Sequence, residues 1–253
     1  MTIDLPRQPI IDHLIELRRR LVVCLLAFLA ATVLCYLVAG DIYAILVRPL
    51  AEAFPNPEHR RLIYTSLTEP FLAYLKLAVF GGFMLSFPVI AMQLYRFLAP
   101  GLYQRERRAF IPYLVASPLL FIGGAAFAYY VIFPAAWRFF LSFESPAILG
   151  ALPIQLEARV GDYLNIAMHL IIAFGLSFQL PVVLVLLVRA GILSLETLKR
   201  GRRYAVVIIV TIAAFITPPD IFSQIALSVP LYLLYEISIF VCRNMGKPVD
   251  IPT

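Results

Sequence analysis

Charged residues are scarce in this sequence. Only 14% of the 253 residues are Asp, Glu, Lys or Arg, whereas 62% are hydrophobic. A soluble domain usually has about 25% charged and about 45–50% apolar residues. The composition therefore excludes an ordinary soluble protein and predicts one that crosses a membrane several times. Because the apolar runs are continuous and do not alternate with polar residues, they predict spanning helices rather than strands.

Cysteine and histidine are also rare. Cys24, Cys35 and Cys242 lie in or beside apolar runs and lack the spacing of a metal or redox site, and the three histidines are scattered. The chain has no GxxxxGK[ST] phosphate loop, no GxSxG motif and no HExxH motif. These absences predict a protein without a metal or cofactor, without its own use of ATP and without enzymatic activity.

The net charge of +6 does not indicate nucleic-acid binding, because the cations cluster in short loops. In a membrane protein such clusters report the orientation of the chain and its contact with anionic lipid. The first 20 residues are charged and contain no apolar signal core, so no cleavable signal peptide is expected. We also find no internal repeat of the kind common in secondary transporters.

Six apolar runs are predicted to span the membrane. They occupy residues 21–39, 70–95, 110–137, 163–188, 204–216 and 221–242. A helix needs about 20 residues to cross a ~30 Å hydrocarbon core, so the fifth run, at about 13 residues, is unusually short. Residues 204–242 form either two spans, which we favour, or a re-entrant hairpin. An amphipathic surface helix is predicted just before the first run, and an interfacial helix at about 41–53.

The basic residues indicate how these spans are oriented. Fifteen lie in the two terminal segments and in the loops 96–108 and 189–203, and five lie in the loops on the opposite side. The positive-inside rule then places both termini in the cytoplasm. The sequence therefore predicts an all-α integral membrane protein with six transmembrane helices, forming a single domain over residues 1–253.

Two carboxylates stand among arginines on the predicted cytoplasmic side. Glu16 precedes Arg18, Arg19 and Arg20, and Glu106 lies within the loop 96–108. Each acid either forms an internal salt bridge or receives a guanidinium group from a ligand. Pairing of arginine with a carboxylate is charge-assisted and can be bidentate, which suits the second interpretation.

The apolar runs contain four informative polar residues: Gln179, Thr217, Gln224 and Glu236. Such residues join helices or line a polar path. Thr217 and Gln224 flank a Pro-Pro-Asp break and are placed to bond a polar group on a partner's helix. Gln179, Gln224 and Glu236 also raise an alternative function, that of a small-solute or proton-coupled transporter.

Several motifs in order resemble the TatC family, the central subunit of the twin-arginine protein translocase. The likeness covers essentially the whole chain. The matching segments are HLIELR at 13–18, FLAPGLY at 97–103, ERR at 106–108, FAY at 127–129, FP at 133–134, FGLSF at 174–178, TPPD at 217–220 and FSQ at 222–224.

The resemblance implies a concave bundle with two short final helices in the bacterial cytoplasmic (inner) membrane. It implies a receptor that binds Arg-Arg signal peptides and exports folded proteins by the proton-motive force. By position, Glu16 and Glu106 would bind the twin arginines, with Arg18 and Phe97 shaping the surface. The implied partners are TatA and TatB single-span subunits, other copies of the chain and the lipid bilayer.

Further positions follow from the same resemblance. Thr217 and Gln224 fall at the family's contact with TatA and TatB. The residues expected to have structural roles are Pro100, Tyr103, Pro218, Pro219 and Asp220. Gln179 stands where the family often has glutamate, so the hydrogen-bonding capacity is kept and the titratable proton is absent.

Overall fold

The computed structural model describes residues 10–54, 61–98, 111–145, 152, 154–189, 191–216 and 221–244. These residues form helices. Among them, two isolated β-bridges pair Ile63 with Arg159 and Ser145 with Ile154. The helices are α1 (Ile10–Leu37), α2 (Ala39–Ala53), α3 (Glu69–Leu98), α4 (Ile111–Phe127), α5 (Phe133–Leu141), α6 (Val160–Ser177), α7 (Leu180–Arg189), α8 (Leu195–Arg200), α9 (Arg202–Ile216) and α10 (Ile221–Asn244).

Five helical stretches of the described chain are long and apolar enough to cross a membrane. They are Leu14–Leu37, Glu69–Phe97, Tyr113–Leu141, Val160–Arg189 and Gln224–Asn244. They coincide with five of the six predicted runs. The all-helical prediction is confirmed for the described residues, and the interfacial helix predicted at about 41–53 is present as α2.

The last two helices differ in length. Helix α9 has 15 residues, or about 22 Å, which is less than a ~30 Å hydrocarbon core. Helix α10 has 24 residues, or about 36 Å. The expectation of two short final helices is therefore wrong for α10, because its helical backbone continues through Pro230 as far as Asn244.

Prolines account for the two irregularities inside the long spans. Between α4 and α5 lies a π-helical turn, Ala128–Ile132, in which the Phe133 N–H donates to the carbonyl of Ala128. Pro134 follows at once, and a wider turn accommodates a residue that has no N–H and needs more room. Between α6 and α7 the Gln179 N–H donates to Leu176 O at 3.0 Å, two residues before Pro181.

The chain divides into two compact units. The first comprises the described parts of Met1–Ala39 and Leu75–Pro118. Within it, α1 and α3 approach closely at Gly82, where an added Cβ would lie 2.7 Å from the Thr32 Cα. A glycine at this point lets the two backbones come together without a cavity.

The second unit comprises the described parts of Gly40–Tyr74 and Leu119–Thr253. Within it, α4 and α6 approach closely, and each helix contributes a glycine to the contact. A Cβ on Gly124 would lie 2.5 Å from Phe174 O, and one on Gly175 would lie 2.7 Å from a ring carbon of Phe121. The Phe121 and Phe174 side chains are fully buried. The glycines therefore set the separation of these helices.

Two tyrosine hydroxyls attach α2 to the rest of the second unit. Pro49 lies inside α2 and lacks the N–H that would pair with Ile45 O. The Tyr129 hydroxyl, from the π-helical turn, donates to Ile45 O at 2.8 Å. The Tyr163 hydroxyl, from α6, donates to Leu46 O at 2.6 Å. Tyr129 thus satisfies a carbonyl that the proline leaves without its helical partner.

The two adjacent glycines of α4 provide a direct test of this packing. We expect Gly124→Ala to lower the free energy of unfolding by about 1–3 kcal/mol, because its Cβ would collide with the backbone of α6. An added Cβ on Gly123 meets nothing within 4 Å, so Gly123→Ala should be neutral or stabilise by up to about 1 kcal/mol. Thermal unfolding in detergent measures both, and equal effects would contradict the assigned contact.

If the Tyr129 hydroxyl replaces the hydrogen bond that Pro49 cannot make, the stability effects of substituting these two residues should depend on each other. Tyr129→Phe should cost about 1–2 kcal/mol, because Ile45 O loses its donor. The control is Tyr130→Phe, since that neighbouring side chain is 74% exposed. In a Pro49→Ala background, which restores the helical N–H, Tyr129→Phe should cost clearly less. An unchanged cost in that background, again measured by thermal unfolding, would show that the hydroxyl does not replace the proline's missing donor.

Candidate functional site

The carboxylate of Glu16 lies on the first turns of α1, bound to an arginine one turn later. Arg20 Nε donates to Glu16 Oε1 at 3.1 Å, and Arg20 Nη2 donates to the same oxygen. The Glu16 side chain is 30% exposed and that of Arg20 is 20% exposed. Of the two interpretations left open for Glu16, the structure shows the internal salt bridge.

This arrangement leaves Glu16 accessible to the guanidinium of a ligand. Both bonds from Arg20 end on Oε1, and no described residue donates to Oε2. Arg20 fixes the rotamer of the carboxylate. Arg18 and Arg19 are exposed on the neighbouring positions. The local chemistry is therefore that of a partly exposed, preorganised anion in a cationic surrounding, which suits pairing with arginine.

The other predicted members of this site are only partly described. Phe97 lies in the last turn of α3, is half-buried, and belongs to the same compact unit as Glu16. Glu106, Pro100 and Tyr103 lie outside the described residues. The prediction that Glu16 and Glu106 act together therefore stays a prediction.

Of the two polar residues predicted at a partner contact, Gln224 lies near the start of α10. Gln224 Nε2 donates to Val210 O at 3.2 Å, so this amide joins α10 to α9 within the chain. Ser228 Oγ donates to Gln224 O at 2.7 Å. Thr217, Pro218, Pro219 and Asp220 lie outside the described residues.

Gln179 occupies the turn between α6 and α7 and is half-buried. Its carbonyl accepts a hydrogen bond from the Val183 N–H at 3.0 Å, which starts α7. The residue predicted to lie inside a continuous span therefore marks the break in that span.

Glu236 is engaged on both carboxylate oxygens. Arg202 Nη2 donates to Oε2 at 2.8 Å, and the Tyr232 hydroxyl donates to Oε1 at 2.9 Å. Arg202 is the first residue of α9 and belongs to the basic loop 189–203. Glu236 lies within an apolar stretch of α10, but it is ion-paired with a residue of that loop. This pairing weakens the argument that Glu236 carries protons.

A polar cluster that the sequence did not reveal lies at the start of α3. Glu69 accepts hydrogen bonds from the backbone N–H groups of Thr65 and Gly161, each at 3.1 Å, and from Arg159 Nη2 at 3.3 Å. Ile63 pairs with the strand-like segment at Arg159 beside it. The cluster connects two loops that are more than 90 residues apart. One feature of the sequence indicates this cluster: Arg159 is one of the few cations on the side predicted to lie opposite the termini.

A family model supplies the deciding comparison: the sequence model for the Sec-independent protein translocase protein (TatC) matches residues 12–230. The chain belongs to the TatC family. The TatC protein of Rickettsia prowazekii is 46% identical over 237 residues, covering 94% of this chain and 93% of that protein. The TatC protein of Magnetococcus marinus is 43% identical over 248 residues, covering 98% and 89%.

Solved structures agree with the sequence comparisons. A crystal structure described as the twin arginine translocase receptor TatC superimposes with a TM-score of 0.77 at 39% identity, covering 92% of this chain and 98% of that one. The resemblance to TatC drawn from the motifs is thus confirmed, as is a multi-pass, helical membrane protein of a bacterial protein translocase. Membership of this family does not favour the small-solute transporter.

The Glu236–Arg202 pair can be distinguished from a proton-carrying acid by a double-mutant cycle. Glu236→Gln and Arg202→Gln should each destabilise by about 0.5–1.5 kcal/mol, because each leaves the other charge without its partner. The double variant should cost less than the two single costs added together. Additive costs in thermal unfolding, with export of an Arg-Arg reporter abolished only by Glu236→Gln, would instead favour the acid as a proton carrier.

Proposed function

We propose that this chain is the receptor subunit of a twin-arginine translocase, binding Arg-Arg signal peptides at its cytoplasmic face and nucleating the export of folded proteins driven by the proton-motive force. It acts without enzymatic chemistry of its own. The carboxylates of Glu16 and Glu106 pair with the two signal-peptide guanidinium groups, and Arg18 and Phe97 shape the surface around them.

The observation that carries this proposal is the pairing of Glu16 with Arg20. A carboxylate already bound by a guanidinium, yet 30% exposed, is a site at which a ligand's arginine can replace the internal one. The exchange conserves the number of ion pairs, so its free-energy cost is small. The surrounding exposed arginines repel cationic ligands that do not place a guanidinium on the acid.

The proposal also specifies how many times the chain crosses the membrane and on which side its termini lie. Six spans, with α9 as the fifth, place both termini and the loop 189–203 in the cytoplasm, in agreement with the distribution of basic residues. The whole chain then acts as one membrane domain in the bacterial inner membrane. Thr217 and Gln224 lie where the TatA and TatB single-span subunits dock, and further copies of the chain complete the complex.

Charge reversal at Glu106 tests the receptor role. We expect Glu106→Lys to reduce crosslinking to an Arg-Arg signal peptide at least tenfold, because an attractive pair becomes a repulsive one. Glu157→Lys is the matched control, since Glu157 is exposed on a loop predicted to face the opposite side, and it should leave crosslinking unchanged. Full binding by Glu106→Lys would refute the assigned site.

Removal of Arg20 tests the exchange at Glu16. An internal pair four residues apart on a helix contributes about 0.3–0.5 kcal/mol, so Arg20→Gln should strengthen signal-peptide binding by about twofold. Arg19→Gln removes the same charge from an exposed position and controls for the change in net charge. If Arg20→Gln weakens binding while Arg19→Gln does not, Arg20 is itself part of the binding surface and the exchange is wrong.

A further inference from the structure

Four basic residues lie at the end of α8 and the start of α9. One of them is paired with a carboxylate, and the other three are exposed. Arg202 is bound to Glu236. Lys199, Arg200 and Arg203 are exposed, and no described carboxylate lies within salt-bridge distance of them. Glu196, on α8, is the acid nearest to them in sequence. These three side chains, which we call the cationic patch, leave a net positive surface after the local pairing is taken into account.

The patch is held in a fixed place by α8. Ser194 caps this helix, accepting a hydrogen bond from the Thr197 N–H at 3.0 Å. Leu198 is buried, and the Tyr235 hydroxyl of α10 donates to its carbonyl at 2.6 Å. Lys199 and Arg200 are thus carried by a short helix attached to α10, and Arg203 is carried by α9.

An apolar groove begins about one helical turn beyond Arg203, at Val206. It lies between α9 and α10 and has a volume of about 260 Å³. Its lining residues are Val206, Ile209, Val210, Ser228, Val229, Tyr232 and Leu233. Ile209 is buried at its floor, and the valine and leucine side chains of its walls remain largely exposed.

The groove and the patch share one face of α9. Arg203, Val206 and Val210 are spaced three and four residues apart, so they follow one another along the same side of the helix. At 1.5 Å per residue, Val210 lies about 10 Å beyond Arg203 along the axis. A ligand that bridges the two must therefore have an anionic end and an apolar chain of at least about this length.

Tyr204 indicates the level at which such a ligand would lie. Its ring is 59% exposed, and the Arg203 guanidinium lies 4.8 Å from the ring centroid. Exposed tyrosines of membrane proteins concentrate at the depth of the lipid headgroups. The cations, the aromatic ring and the apolar groove thus follow the same order as the phosphate, the glycerol region and the acyl chain of a phospholipid.

We propose that this site binds an anionic phospholipid, with its phosphate on the cationic patch and one acyl chain in the groove between α9 and α10. Basic pockets beside transmembrane helices recognise such headgroups through charge, and each cation near the surface adds about fivefold in affinity at low salt. A bound lipid would cover the exposed apolar side chains of the short helix α9. The proposal does not depend on the receptor role, because lipid binding is measurable without any signal peptide.

The test is native mass spectrometry of the purified protein with phosphatidylglycerol and with phosphatidylcholine of the same acyl chains. The wild-type chain should retain phosphatidylglycerol in preference to phosphatidylcholine. Arg200→Gln/Arg203→Gln should reduce that preference at least fivefold, whereas Arg200→Lys/Arg203→Lys should keep most of it. The charge-matched control is Arg61→Gln/Arg138→Gln, which removes two exposed arginines outside the patch and should leave the preference intact.

A second pair of variants tests the groove. Val229→Phe fills it and should reduce retention of both lipids severalfold. The control Ile237→Phe introduces the same side chain at an exposed position of α10 that does not line the groove. Equal loss of preference in the patch variant and its charge-matched control would overturn the headgroup site. Unchanged lipid retention by Val229→Phe would overturn the acyl-chain site, and if that variant lost association with a single-span partner instead, the groove would be a helix-binding surface.

Discussion

A backbone carbonyl that loses its helical partner needs another hydrogen-bond donor, and several features of this structure follow from that constraint. Proline creates the problem each time. Pro49 leaves Ile45 O without an N–H, and the Tyr129 hydroxyl of another helix supplies the missing donor. Pro134 is preceded by a π-helical turn, and Pro181 by the turn at Gln179. At these three points the fold accommodates a proline.

The polar side chains of the second unit follow a related logic. Two half-buried carboxylates meet a partner that comes from a different element: Glu69 meets Arg159 and Glu236 meets Arg202. These pairs hold loops and helix ends in place, where apolar packing alone gives little directional control. Glu16 differs, because its partner Arg20 lies on the same helix. Its bond fixes no tertiary contact, and the carboxylate can change partners without cost to the fold.

Hydrophobic runs predicted the helices well because the need for about 20 apolar residues leaves little freedom. The bounds of α9 and α10 differ from the predicted runs by two residues or fewer. The break at Gln179 and the π-helical turn were not predicted as such, because a proline signals an irregularity without determining its form. The Glu69 cluster was missed because it depends on two loops meeting, which no local pattern encodes.

The sequence was enough to identify the acid of the candidate site, but not the group to which that acid is bound. The sequence identified Glu16 as an acid among arginines, yet it could not decide between an internal pair and a ligand site, since both need the same residues. The coordinates show the pair with Arg20. Residues predicted from the resemblance at 99–110 and 217–220 lie outside the described chain, so the roles of Glu106 and Thr217 stay predictions.

Helix α1 runs from Ile10 to Leu37 without a single proline or glycine. It therefore has no hinge, unlike the other long apolar stretches of the chain, which contain proline. Glu16 and the glycine contact at Thr32 are two points on one stiff rod, about 24 Å apart. A force applied to the carboxylate reaches the tight crossing with α3 as a tilt or rotation of the whole rod.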